Sequence, residues 1–136
     1  MTKLKVFLIC LSVMVFVFSA IACVETYSLE RSLARGVYTD LMDDMQDIGY
    51  LDSSLTAYYR GKMQDWGWTG AGADFFAGSY PMSETTRARK ERAENVSLAL
   101  SILPSKLSQW MNLLVEGEAT FRFTGTRPSE YFDQGW

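Results

Sequence analysis

The stretch VFLICLSVMVFVFSAIACV, Val6 to Val24, is 19 residues without a charge, and it limits the chain's options more than any other feature. Wound as an α-helix at 1.5 Å per residue, it reaches roughly 28 Å, about one hydrocarbon core. Lys3 and Lys5 precede it and Glu25 follows it. The positive-inside rule then leaves the N-terminus in the cytoplasm and the C-terminal region outside, as a single-pass membrane protein.

Three fates are open to this segment. Ala20-Ile21-Ala22 has the small-x-small form of a signal cleavage site. SAIAC resembles a lipobox, which would make Cys23 a lipid-bearing N-terminus. The third fate is an uncleaved anchor. Length favours the anchor, since signal h-regions run to about 7–15 residues. The sequence beyond also favours it, because helix-compatible residues begin at once, where a lipoprotein would carry a polar tether. In the anchor reading Val6, Leu8, Leu11, Val13, Val15, Val17, Ala20 and Ala22 form the membrane and assembly surface. The small Ser12, Ser19, Ala20 and Ala22 would let a second helix approach closely.

Without this segment, too little chain remains for more than one small domain. The formal net charge of the whole chain is -3, and all 16 Asp and Glu lie after the apolar stretch, leaving an acidic outer region. That balance argues against nucleic acid as a partner, because phosphate binding requires a positive surface. There is no His, which excludes a Ser-His-Asp triad and the commonest metal ligand. The two cysteines, Cys10 and Cys23, lie in the apolar segment, so the outer region has neither a disulfide nor a thiol nucleophile. Asp43/Asp47 and Glu91/Glu94 read as solvated charges, and Arg127, Ser129 and Glu130 as a local turn or ion pair. We expect no catalytic residues, no metal, no cofactor and no small-molecule substrate.

Beyond the leader (1–5) and the membrane helix (6–24), residues 25–66 read as an amphipathic helical region. Ala34, Val37, Tyr38, Leu41, Met45 and Ile48 follow three- and four-residue steps, with Asp40, Asp43, Asp44 and Asp47 between them. Gly49 is the expected stop, so one helix of over 40 residues runs to Ile48. Asp52 or Ser53 caps a second helix ending near Trp66, with Leu55, Tyr58, Tyr59, Met63 and Trp66 on one face. Residues 67–90 form a Gly/aromatic loop without regular structure. Trp68, Phe75, Phe76 and Tyr80 either pack it internally or present a contact patch to another subunit. The run ETTRARKER reads as a solvated turn or strand lead-in. Residues 91–136 make a small β region. Val96, Leu98, Leu100 and Ile102 alternate on one strand, and Ala119, Phe121 and Phe123 on another. The two pair antiparallel through a helical connection bearing Leu107, Trp110, Met111 and Leu114, and the tail RPSEYFDQGW is irregular. Two strands need a helix across their apolar face, either the second helix or the outer part of the first. The fold class is α+β.

This layout resembles type IV pilins and pseudopilins, in particular the TadE-like proteins of tight-adherence systems and of conjugation-associated clusters in Gram-positive bacteria. The resemblance is carried by the leader MTKLK, the run Val6–Val24, its continuation ETYSLERSLARGVYTDLMDDMQDIGYL, and SLTAYYRGKMQDWGW. It implies a structural protein that assembles with its own or other pilin-like helices in a membrane or filament core. No Gly precedes Val6, and the apolar run holds no Glu, both of which pilins use for processing and assembly. A minor or accessory subunit is therefore the role implied.

Overall fold

The computed structural model describes residues 1–70 and 74–132. Helix α1 (Thr2–Ile48) runs unbroken for 47 residues from the apolar segment into the acidic one. Gly49 ends it, at φ 89°, donating its N–H to Met45 O at 2.7 Å. This left-handed stop suits glycine, and a Cβ here would also run into Ala88 O. Asp52 then caps α2 (Ser53–Asp65) by accepting from the Ser54 N–H. That bond and the Ser54 hydroxyl hold the Asp52 carboxyl below its usual range.

Three strands form one antiparallel sheet, ordered β1 (Thr69–Gly70), β2 (Asn95–Leu103), β3 (Phe121–Pro128). The register of β2 on β3 runs from Asn95 opposite Pro128 to Ile102 opposite Phe121. Helix α3 (Lys106–Glu116) connects them, capped by Ser105 and stopped at Gly117. Burial on β2 follows the expected alternation, with Val96, Leu98, Leu100 and Ile102 all inside. The outer part of α1 lies across the sheet. Ala34, Val37, Leu41, Met42 and Met45 are in the same core cluster as the β2 side chains. Tyr27 stacks edge-on against Phe121, and Tyr38 tilts over Phe123, both at 5.8 Å between ring centres. The long helix therefore covers the sheet, and α2 packs against α1.

The loop departs from expectation. Thr69 and Gly70 pair with Leu103 and Ile102, and Tyr80 bridges Ser97, so this segment extends the sheet's edge along β2. Its glycines do not bar pairing. Where Gly70 meets Asp74 and Phe75, a side chain would find little room. Part of the loop, residues 71–73, lies outside the described residues.

ETTRARKER is less solvated than expected, and the tail, irregular at residues 129–132 as expected, is nevertheless tied to the domain. Two 3-10 turns (Glu84–Thr86 and Lys90–Arg92) flank a buried Ala88. The Arg87 guanidinium lies between the Tyr50 and Tyr131 rings, at 4.8 and 4.3 Å from their centres. Burial works against its charge, but bonds to both tyrosines prevail and hold its pKa above the usual value. Ser129 is buried and donates to Ala88 O at 2.9 Å, while Glu130 N–H reaches Gln46 O. Arg127 pairs with Asp43 on α1 at 3.3 Å, not with its neighbour Glu130. The tail thus ties β3 back to the end of α1, and its last four residues, 133–136, lie outside the described residues.

Candidate membrane and assembly surface

Among the described residues, α1 is the one helix long and apolar enough to cross a membrane, and its apolar half touches none of the domain's core. Val6, Leu8, Leu11, Val13, Val15 and Val17 are between 47% and 58% exposed, and Ala20 and Ala22 are exposed beside them. All eight are exposed, though Ala20 also borders α3. By length and composition the segment suits an anchor or a signal sequence. Its two serines suit an apolar medium. Ser12 Oγ donates to Leu8 O at 2.9 Å and Ser19 Oγ to Val15 O at 2.8 Å, so neither hydroxyl needs water.

The change from free to packed helix occurs between Cys23 and Tyr27. Cys10 is exposed, whereas Cys23 is half-buried. Trp110 and Met111 of α3 close an apolar groove of about 330 Å³ against Phe16, Ala20, Cys23 and Val24. One turn further on, Tyr27 is buried and donates its hydroxyl to Asn112 Oδ1 at 2.7 Å. Arg31 Nη1 reaches Tyr27 Oη at 2.8 Å and Asn112 Oδ1 at 3.2 Å, and Arg31 also pairs with Glu116. Burial works against the Arg31 charge, but its bonds to Glu116 and Tyr27 outweigh this and raise its pKa. Asn112 Nδ2 donates to Glu118 O and Thr120 O, at 2.7 and 3.1 Å. This network clamps α3 to α1 at the end of the apolar stretch.

The residues singled out as a loop contact patch divide. Trp68 and Phe75 are 3% exposed and Phe76 is fully buried, so these three are core side chains and cannot meet another subunit. Tyr80 alone is on the surface, at 60%. Internal packing was the physically stronger option, since aromatics of this size contribute most when removed from water. The face expected on α2 is narrower than five residues: Tyr59 and Met63 are buried, Leu55 packs beside them, and Tyr58 and Trp66 are outside. On α3 the polar Ser108 and Asn112 are fully buried, while Trp110 and Leu114 are largely exposed. Sequence reasoning missed Tyr27 and Asn112 altogether. The available signal was the four-residue spacing of Ser108 and Asn112, a polar stripe on an otherwise apolar helix.

Of the aspartates on α1, Asp43 meets Arg127 and Asp44 accepts from the Tyr59 hydroxyl at 3.0 Å. Burial and this bond push the Tyr59 phenol above its ordinary range. Comparison with protein-family models, curated proteins and solved structures finds no match for this chain.

Proposed function

We propose that this is a structural, pilin-like single-pass envelope protein, a minor or accessory subunit that assembles through the apolar half of α1. The observation that carries this reading is the division of labour along one unbroken helix. Residues 2–22 are exposed, while residues 27–46 build the core of a small outer domain. A disposable address label needs no such continuity with the domain. In addition, the Trp110 groove would lose part of its wall if cleavage after Ala22 removed Phe16 and Ala20. Assembly would come from close packing of apolar helices, aided by Ser12, Ser19, Ala20 and Ala22.

The test is the mass of the mature chain extracted from membranes, followed by oxidative cross-linking through Cys10 in a Cys23→Ala background. An intact or leader-trimmed chain that yields Cys10-linked species supports the reading. A chain beginning at Cys23, free or carrying a diacylglyceryl group, overturns it in favour of an exported or lipid-anchored binding domain. An intact chain that gives no cross-link leaves an anchor but removes the assembly role.

A further inference from the structure

Helix α3 is built inside out for a helix in water. Its polar residues Ser108 and Asn112 have no exposure, and Asn112 is committed to the Tyr27–Arg31 network. Its large apolar residues face outward: Trp110 at 60%, Leu113 at 50%, Leu114 at 65% and Val115 at 64%. An amphipathic surface helix ordinarily has the reverse arrangement. At about 100° per residue Trp110, Leu113 and Leu114 share one face of this short helix, and that face calls for an apolar medium to cover it.

We propose that this medium is the lipid surface itself. On this view α3 is an interfacial helix, and Trp110, Leu113 and Leu114 insert into the leaflet on the domain's side of the bilayer. The inference rests on α1 remaining in the membrane. The argument for lipid is continuity. Trp110 and Met111 share their groove with Phe16, Ser19, Ala20, Cys23 and Val24, and the Ser19 hydroxyl is turned back onto Val15 O, so the patch joins the surface of the apolar stretch. Those α1 residues lie within about 12 Å of Val24 along the helix, near the depth of about 5–10 Å to which interfacial helices sink. Charged residues bound the patch at both ends, Lys106 at the start of α3 and Glu116 at its close. A Trp at such a boundary places its ring in the headgroup region and its N–H toward water. With α1 crossing the bilayer and α3 lying in its surface, the domain would have two attachments and a set tilt.

The experiment uses the full chain with Cys10→Ala and Cys23→Ala, carrying one nitroxide label at Leu114→Cys, Val13→Cys or Asp47→Cys. Each is reconstituted in phosphatidylcholine/phosphatidylglycerol vesicles, and collision rates with oxygen and with a water-soluble nickel chelate are measured. Leu114 is exposed, so its label does not disturb the core. Asp47 is on α1 far beyond Val24 and reports the aqueous reference. The expected result is Leu114 shielded from nickel several-fold relative to Asp47 and rich in oxygen collisions, with Val13 shielded as well. If Leu114 is as open to nickel as Asp47 while Val13 is shielded, the interfacial helix is overturned and the anchor stands. If Leu114 shielding disappears when protein is diluted in lipid, a neighbouring subunit covers the patch and the proposal is again overturned. If Val13 is open to nickel, the anchor and this inference fall together.

Discussion

Gly125 shows how tightly single positions are set. It sits in β3 under Tyr38, and a Cβ there would collide with the Tyr38 hydroxyl oxygen while the rest of the ring leaves room. Gly125→Ala should therefore destabilise the domain by about 1–3 kcal/mol, as overpacking does. Tyr38→Phe in the same chain should recover most of that loss, measured by denaturant unfolding in mild detergent. Tyr59 makes a different prediction. Its folded pKa lies above the ordinary 10.0, so the folded state favours the protonated phenol. The associated stability is fully present below pH 10 and is lost as pH rises from there toward the folded value. Melting temperature should fall more steeply above pH 10 in the native chain than in Tyr59→Phe. Asn112 anchors several partners at once. Asn112→Ala leaves Tyr27 Oη, Glu118 O and Thr120 O short of a bond, a loss of about 1–3 kcal/mol. An unchanged unfolding midpoint would show that water replaces it without loss.

The elements differ in how completely their surroundings are supplied by the chain. β2 has its core face covered by α1 and both edges paired. α2 buries Tyr59 and Met63 and part of Leu55, and is held further by its Asp52 cap, the Tyr59–Asp44 bond and the Arg60–Asp74 pair. The first half of α1 is largely exposed, touching α3 only at the groove near Phe16, Ala20 and Val24, and is long and apolar enough to cross a membrane. A charge placed there tests this directly. Val15→Asp puts a carboxylate near the middle of the apolar stretch, at about 2.5–3.5 kcal/mol on insertion scales. We expect that variant to leave the membrane fraction on flotation, with its outer domain still folded by circular dichroism. A variant that floats like the native chain would contradict membrane residence of this segment.

At the scale of the whole molecule, α1 belongs to two structures at once. Its inner part meets none of the core, while Tyr27, Ala34, Val37, Leu41, Met42 and Met45 hold the sheet. A chain starting at Glu25 should keep its fold and a cooperative melt, yet bind detergent or self-associate through the bare α3 patch. One starting at Tyr38 loses Tyr27, Ala34 and Val37 and should not fold. Circular dichroism and light scattering of the two fragments separate these outcomes. The tail acts at this scale too. Ser129, Glu130 and Tyr131 join β3 to Ala88, Gln46 and Lys90, so the last strand closes onto the point where α1 ends.

Much of this was open to reading along the chain, because it depends on neighbours in sequence. The charge-free run sets a helix of membrane length, the three- and four-residue steps set its packed continuation, and alternation sets β2. Gly49, through its backbone geometry, and Asp52, through its side-chain cap, punctuate the elements locally. Where the periodic pattern stops, so does its information. That an α-helix has an apolar stripe does not say what covers it: the spacing of Leu107, Trp110, Met111 and Leu114 marks a helix, and only the fold leaves Trp110 and Leu114 outside. Which aromatics of the loop point inward, how Thr69 and Gly70 join the sheet, and that Asn112 fastens α3 to Tyr27 were decided only by the fold. Each requires groups far apart in sequence to meet, and the free energy of such a meeting resides in the contact between segments, not in either one.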